Sequence, residues 1–119
     1  MAKIRVVLAG ATGKTGREVA RALLGEDDIE LVAAVARGAA GSDLGQALGT
    51  GFLGVRVLET VAEALDRFPA DVLVDFTAPS VAGRHALQAV ERGVRPVIGT
   101  TGIPRQELEQ LEQACARRG

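Results

Sequence analysis

The sequence predicts an α/β fold: a doubly wound parallel sheet covered by helices on both faces, in three αβα layers. Three observations lead to this prediction. Short, nearly continuous apolar runs recur along the chain, as is typical of strands buried on both faces. Segments with helical periodicity separate these runs. A glycine-rich turn joins the first apolar run to the first helical segment.

Five apolar segments are predicted to be strands. Four are nearly continuous: Ile4–Ala9, Leu31–Ala36, Val72–Asp75 and Pro96–Ile98. The weaker Val55–Leu58 is predicted to be an edge strand. Because strands and helices alternate, we expect parallel βαβ units with right-handed crossovers. The expected strand order is 3-2-1-4-5, the Rossmann type, with a topological switch between strands 1 and 4.

Four helices are predicted, at Thr15–Leu24, Val61–Phe68, Ser80–Arg92 and from Pro104 to about Arg117. The first has an apolar face that includes Leu24. Thr60 and Glu63 form a capping-box pattern before the second, and Gly93 stands at the C′ position of the third. The segment Gly38–Gly54 holds six glycines, so we expect a mobile loop there, with one helical turn near Leu44–Leu48.

Length and composition define an ordinary globular domain. The chain has 119 residues, enough for one domain, and is 47% hydrophobic with a net charge of -1. A near-neutral charge argues against nucleic-acid and membrane-surface partners. The sequence has no apolar run of roughly 20 residues and no signal-peptide pattern. Its single cysteine, Cys115, excludes an intrachain disulfide, and we expect a cytoplasmic protein.

The turn after the first strand has the pattern of a phosphate-binding loop. It consists of Gly10, Ala11, Thr12, Gly13, Lys14, Thr15 and Gly16. Gly10 permits the tight turn, Gly13 leaves space for a pyrophosphate, and Gly16 allows the helix to pack closely on the sheet. The helix N-terminus then offers free N–H groups to an anion. The spacing is a variant of the usual dinucleotide fingerprint, and a glycine-rich turn that binds nothing is the alternative.

A nucleoside-triphosphate hydrolase is a second alternative. Gly13-Lys14-Thr15 resembles the end of a P-loop, and Leu73-Val74-Asp75 resembles a Walker B strand. The P-loop needs a glycine five residues before Gly13, where this sequence has Leu8. We therefore favour a dinucleotide over a hydrolysed triphosphate.

The end of the second strand bears on the choice of dinucleotide. NAD sites usually place an acid there for the ribose 2′-hydroxyl, but this sequence has Ala36-Arg37. Arg37 can pair with a 2′-phosphate, and Lys14 adds a second positive charge. We therefore expect NADPH as the preferred cofactor and NADH as a second one. A solvated Arg37 without a binding role is the alternative.

Two further segments complete a resemblance to a known family. Val74-Asp75-Phe76-Thr77-Ala78-Pro79 follows the fourth strand, and Ile98-Gly99-Thr100-Thr101-Gly102 follows the fifth. With the Gly10–Gly16 turn and Gly41-Ser42-Asp43-Leu44-Gly45, they resemble the N-terminal nucleotide-binding domain of dihydrodipicolinate reductase, also called 4-hydroxy-tetrahydrodipicolinate reductase, of the diaminopimelate–lysine pathway. The resemblance extends over essentially all 119 residues.

The resemblance implies a cofactor site and a reaction. It implies that Phe76, Thr77, Gly99 and Thr101, with Thr100 beside them, surround the nicotinamide. It also implies an NAD(P)H-dependent oxidoreductase that reduces a cyclic imine or enamine dicarboxylate to tetrahydrodipicolinate. The family's His-His, Lys and Asp-Ala-Pro-Ser-Gly-Thr catalytic segment is not found in this sequence. We therefore expect no catalytic residue here, cofactor binding without turnover, and a dicarboxylate substrate only in a full-length protein.

Other readings remain open. The chain could be a stand-alone NADP-binding sensor module or the N-terminal domain of a related amino-acid dehydrogenase. The resembled family forms tetramers mainly through a C-terminal sheet, so the oligomeric state of this chain is open.

His85, the only histidine, is expected at a surface or half-buried helix position away from the strand ends. Cys115 is expected to pack, and no metal site is expected.

Overall fold

The computed structural model describes residues 3–99, which form a five-stranded parallel sheet with four helices. The strands are β1 Ile4–Ala9, β2 Ile29–Val35, β3 Arg56–Leu58, β4 Val72–Asp75 and β5 Arg95–Ile98. The helices are α1 Lys14–Leu24, α2 Leu44–Leu48, α3 Val61–Arg67 and α4 Pro79–Glu91. The strand order is β3-β2-β1-β4-β5, and each neighbouring pair is parallel. The predicted fold class and strand order are confirmed.

The two faces of the sheet carry separate apolar clusters. On one face, Val6 and Leu8 of β1 pack with residues of α1 and α2. On the other, Val7 and Ala9 pack with residues of α3 and α4. All four β1 residues are at most 2% exposed, because the central strand is covered on both sides. This double burial explains why β1 reads as a continuous apolar run rather than an alternating one.

Element boundaries differ from the predictions by one or two residues. β2 begins at Ile29 rather than Leu31 and ends at Val35, while β3 begins at Arg56. Leu24, expected on the buried face of α1, is 41% exposed. It is the last residue of the helix, one turn beyond the fully buried Ala20. The helix predicted from Pro104 lies outside the described residues.

Local hydrogen bonds explain the helix ends. Thr60 caps α3, because its hydroxyl accepts a hydrogen bond from the Glu63 N–H at 3.1 Å. Gly93 takes a φ of 74° after α4, and its N–H donates to the Val90 carbonyl at 3.0 Å. The Val94 N–H donates to the Ala89 carbonyl at 2.8 Å, which completes a Schellman motif. The predicted N-cap and C′ positions are confirmed.

One carboxylate bridges the glycine-rich segment 38–54, for which a mobile loop was expected. Asp43 accepts hydrogen bonds from the backbone N–H groups of Gly45, Gln46, Leu53 and Val55. Desolvation raises the pKa of Asp43, but these four bonds outweigh it and leave the pKa below its ordinary value. The helical turn predicted near Leu44–Leu48 is confirmed as α2.

Close packing inside this segment depends on a glycine. A Cβ at Gly45 would lie 1.7 Å from the carbonyl oxygen of Gly51, so no other residue fits there without a backbone shift. Leu44, next to it, is fully buried in the cluster shared with α1. Arg17 of α1 donates to the Leu48 carbonyl at 3.2 Å, at the C-terminal end of α2. Through Leu44 and Leu48 the segment therefore forms part of the apolar cluster on the α1 face of the sheet.

Candidate functional site

A cleft of about 420 Å³ opens at the carboxyl edge of the sheet. Its lining comes from the last residue of β2, from residues that follow β1, β2, β3 and β4, and from the first turns of α4: Gly10, Thr12, Val35, Ala36, Arg37, Glu59, Thr77, Ala78, Val81 and His85. The cleft therefore spans the switch point between β1 and β4, where doubly wound sheets bind their ligands.

Two glycines of the turn after β1 are required by close backbone approach. Gly10 has a φ of 80°, and a Cβ on it would lie 2.8 Å from the carbonyl carbon and oxygen of Phe76. A Cβ on Gly16 would lie 1.8 Å from the carbonyl oxygen of Gly10. The first glycine thus lets β1 turn beside β4, and the second lets α1 approach the turn. Both predicted roles are confirmed as structural ones.

Gly13 differs from these two glycines. Its φ is -72°, and a Cβ on it would lie 3.4 Å from the Gly10 oxygen, an ordinary contact. Within residues 3–99 no protein atom therefore demands a glycine at this position. A ligand that lies against the turn would demand one, and this is the role that the sequence predicted for it.

The N-terminus of α1 is available for an anion. Gly13 is the N-cap, no side chain caps the helix, and its first turn contains no acid. Lys14 and Thr15 are exposed, whereas Gly16 is buried. The N–H groups in the first turn of this 11-residue helix thus have no protein acceptor described for them.

A buried hydrogen-bond network lies beneath the cleft. Asp75, the last residue of β4, is 0% exposed. Its Oδ1 accepts hydrogen bonds from the Thr77 N–H at 2.8 Å and the Thr77 hydroxyl at 2.5 Å. Its Oδ2 lies 2.9 Å from Nδ1 of His85, a side chain that is 17% exposed. The network fixes Thr77 and His85, which both line the cleft.

The charge of Asp75 is maintained by these partners. Burial raises the pKa of its carboxyl group, but the bonds from His85 and Thr77 outweigh burial and hold the pKa below its ordinary value. Asp75 is therefore an anion in the folded protein at neutral pH. Both Thr77 bonds close the turn between β4 and α4, so Asp75 also shapes the start of that helix.

The placement of His85 away from the strand ends was wrong. The side chain is half-buried, as expected for a helix position, but it contacts the last residue of β4 and lines the cleft. The reason is that α4 begins at Pro79, directly after β4, so its second turn stands over the strand end. An aspartate that ends an apolar strand needs a buried partner, and that requirement was the available signal.

The end of β2 holds the two residues predicted to select the dinucleotide. Ala36 is buried, Arg37 is exposed, and both line the cleft. The Ala36 N–H donates to the Leu58 carbonyl at 3.1 Å, which joins the ends of β2 and β3. This junction brings Glu59 to the cleft. Sequence reasoning missed Glu59 because it considered acids only near β2.

The predicted nicotinamide residues lie together as far as the structure describes them. A Cβ on Gly99 would lie 2.1 Å from Cε1 of the Phe76 ring, so the ring rests against the Gly99 backbone. The Gly99 N–H donates to the Asp75 carbonyl at 2.8 Å. Thr77 lines the cleft, and Phe76 and Gly99 lie beside it. Thr100 and Thr101 lie outside the described residues.

The described residues contain neither a metal-binding cluster nor a membrane-spanning helix. Between residues 3 and 99, no three histidine, cysteine, aspartate or glutamate side chains are grouped so that they could bind a metal ion. Over that same range, no helix has the length and apolar character needed to cross a membrane.

The fold and the cleft define the chain as a Rossmann-type domain with a ligand cleft at the switch point of its sheet. A family described as "Dihydrodipicolinate reductase, N-terminus" matches residues 4–119. The chain therefore belongs to the dihydrodipicolinate reductase family and matches its N-terminal part. This family is one of oxidoreductases, and the predicted family resemblance is confirmed.

Individual relatives agree with this assignment. The 4-hydroxy-tetrahydrodipicolinate reductase of Moorella thermoacetica is 45% identical over 99% of this chain and 44% of its own length. The dipicolinate-bound dihydrodipicolinate reductase of Paenisporosarcina sp. TG-14 superposes with a TM-score of 0.82 at 29% identity, over 98% of this chain and 44% of the other. The chain thus spans less than half the length of these relatives.

A more distant solved structure shares the fold with a cofactor present. GenD2 from gentamicin A biosynthesis, in complex with NAD, superposes with a TM-score of 0.80 at 25% identity. The alignment covers 100% of this chain and 33% of GenD2. The same strand and helix arrangement is thus found in a protein that holds NAD.

Proposed function

We propose that residues 1–119 form a dinucleotide-binding domain that holds a nicotinamide cofactor for a dihydrodipicolinate reductase. The observation that carries the proposal is the uncapped N-terminus of α1, which follows a glycine-rich turn at the switch point of the sheet. The cleft beside it has the size and position of a cofactor site. The NAD complex of GenD2 supports a nicotinamide dinucleotide as the ligand of this fold.

The pyrophosphate would lie against the first turn of α1. Backbone N–H groups of Lys14, Thr15 and Gly16 would donate to its oxygens, and the positive end of the helix dipole would favour its charge. Ala11 and Thr12 would lie along the approach to this turn, and the missing Cβ of Gly13 would leave the space that a phosphate needs. This arrangement explains a glycine that the protein interior does not require.

The two ends of the cofactor would extend in opposite directions from the turn. The adenosine ribose would lie near Ala36 and Arg37, at the end of β2. The nicotinamide would lie near Phe76, Thr77 and Gly99, with the expected contacts of Thr100 and Thr101 beyond them. Since Thr77 is fixed by the buried Asp75, its position would be set before the cofactor binds.

We further propose that NADPH is the preferred cofactor and that NADH also binds. The exposed guanidinium of Arg37 can pair with a 2′-phosphate in the cleft, and Lys14 adds positive charge at the turn. The cofactor carries the hydride, so the task of these residues is binding and orientation.

The reaction belongs to a protein of the relatives' full length. We propose that a whole protein of this family reduces a cyclic imine or enamine dicarboxylate to tetrahydrodipicolinate, as part of diaminopimelate and lysine biosynthesis in the cytoplasm. The dipicolinate bound to the Paenisporosarcina reductase supports a ring dicarboxylate as substrate. No residue of the present chain is proposed as catalytic, and we expect the 119-residue chain to bind cofactor without measurable turnover.

Calorimetric titration of the 119-residue chain with NADPH and with NADH tests the binding proposal. The informative variant is Gly13→Ala, because its methyl group fits the protein but would occupy space assigned to the pyrophosphate. We expect this variant to fold normally and to lose about tenfold or more in affinity, since displaced phosphate contacts are charge-assisted.

Gly25→Ala is the matched control. It lies at the other end of α1, its φ is -85°, and a Cβ there would be 3.6 Å from the nearest carbonyl oxygen. It should bind both dinucleotides as the unmodified chain does. Failure of the unmodified chain to bind either dinucleotide, or unchanged affinity in Gly13→Ala, would contradict the proposal.

A further inference from the structure

We propose that Glu59 is a specificity-determining residue whose carboxylate accepts hydrogen bonds from the adenosine ribose hydroxyls and opposes a 2′-phosphate. It would thereby counterbalance Arg37 and keep the cleft open to NADH. The inference rests on the proposed function, because it concerns the same cleft and the same cofactor.

The placement of Glu59 follows from strand pairing. Val35 of β2 is in register with Leu58 of β3, and the Ala36 N–H donates to the Leu58 carbonyl at 3.1 Å. Glu59 is therefore the next residue beyond β3, just as Ala36 and Arg37 are beyond β2. Two parallel strands thus deliver an acid and a base to the same edge of the sheet, and both residues line the cleft.

The backbone at Glu59 is fixed by the helix that follows. Thr60 caps α3 through the bond from the Glu63 N–H, and α3 packs against the sheet through the fully buried Ala64. The N-terminus of α3 also favours a negative charge nearby. Glu59 is thus an exposed carboxylate on a short, anchored connection rather than on a long loop.

The charge of Glu59 is not neutralised by Arg37. The ion pairs among residues 3–99 join Arg5 to Asp71, Arg21 to Glu18, His85 to Asp75 and Arg92 to Asp66. Arg37 and Glu59 thus face the cleft as separate charges of opposite sign. Among the described lining residues, Glu59 is also the only carboxylate.

The chemistry of the two cofactors explains how such a pair discriminates between them. A ribose with a free 2′-hydroxyl offers donors that a carboxylate accepts, whereas a 2′-phosphate brings up to two negative charges toward it. Arg37 has the opposite preference. Removing the charge of Glu59 should therefore favour NADPH, and removing the charge of Arg37 should favour NADH.

The test measures dissociation constants of NADPH and NADH for the unmodified chain, for Glu59→Gln and for Glu26→Gln. Glu26 is an exposed acid just before β2, at the opposite edge of the sheet, and serves as the matched control. We expect Glu59→Gln to shift the ratio of the two constants toward NADPH by about three- to tenfold, given one unpaired charge in a partly solvated cleft. Glu26→Gln should leave the ratio within about twofold.

A second measurement tests whether the shift arises at the adenosine end of the cofactor. It uses the dissociation constants of ligands that contain only that end. ADP-ribose and its 2′-phosphorylated form lack the nicotinamide, so they should show the same shift in Glu59→Gln. If the unmodified chain binds neither dinucleotide, the proposed function fails and this inference with it. If it binds both and Glu59→Gln leaves the ratio unchanged, only the inference about Glu59 is overturned.

Discussion

At the scale of single residues, the buried Asp75 connects the fold to the cleft. Its carboxylate is 0% exposed and makes three described hydrogen bonds, two with Thr77 and one with His85. An ion buried this completely destabilises a protein unless each oxygen is satisfied, and here both are. Two side chains that line the cleft, Thr77 and His85, are thus held by a charge buried beneath it.

Asp75→Asn is expected to make the protein less stable at neutral pH, by about 1–3 kcal/mol in the free energy of unfolding. Asparagine has nearly the same shape as aspartate, so the loss in the free energy of unfolding measures the contribution of the Asp75 charge. Because the folded-state pKa of Asp75 is lowered, its stabilising effect is present above the unfolded-state pKa of about 3.9 and is lost as pH falls through the folded-state value. Urea unfolding at pH 7 and at pH 3 measures the difference.

Asp66→Asn provides the comparison for this experiment. Asp66 pairs with Arg92 at 2.8 Å, but its side chain is 62% exposed, so solvent screens the pair. We expect a much smaller change for it at pH 7. A difference between the unmodified chain and Asp75→Asn that stays constant or grows toward acid pH would refute the role given to the Asp75 charge.

Sequence reasoning found the backbone part of the site and missed the side chains that pair across elements. Gly10 and Gly16 were predictable because a turn between strand and helix constrains them locally. His85 and Glu59 reach the cleft only because α4 stands over the end of β4 and because β3 pairs with β2. Such placements depend on how the elements pack in three dimensions. A local pattern can show that Asp75 needs a partner, but it does not identify His85 as that partner.

At the scale of elements, the segment 38–54 shows how one side chain can order a glycine-rich stretch. Its glycines permit positive φ angles, as at Gly49 with 76°, and composition alone therefore indicated a mobile loop. Asp43 opposes that tendency, because its carboxylate accepts hydrogen bonds from four N–H groups between Gly45 and Val55. Glycine content predicts local backbone flexibility. It does not predict which backbone N–H groups will donate to the Asp43 carboxylate.

Asp43→Ala should release this segment without unfolding the sheet. The amides of Leu53 and Val55 lose their acceptor, so their hydrogen exchange should become faster by about tenfold or more, as expected of local opening. Amide exchange followed by NMR measures this directly. Asp71→Ala removes an exposed ion pair with Arg5 at the far edge and should leave both amides unchanged. Equal exchange in the two variants would contradict the anchoring role of Asp43.

At the scale of the whole molecule, the sheet brings the ends of four strands to one cleft. The order β3-β2-β1-β4-β5 was predictable from the alternation of apolar runs and helical periodicity. The position of β1 between β2 and β4 then places the glycine-rich turn, which follows β1, at the switch point. The match of residues 4–119 to the dihydrodipicolinate reductase family agrees with the arrangement of the described residues.

A crystal structure of the 119-residue chain with NADPH tests the central claim most directly. We predict that pyrophosphate oxygens lie about 2.9 Å from the backbone nitrogens of Thr15 and Gly16, with the ribose between Arg37 and Glu59 and the nicotinamide beside Thr77. A dinucleotide bound away from the carboxyl edge of the sheet, or a pyrophosphate that makes no contact with the first turn of α1, would contradict the account.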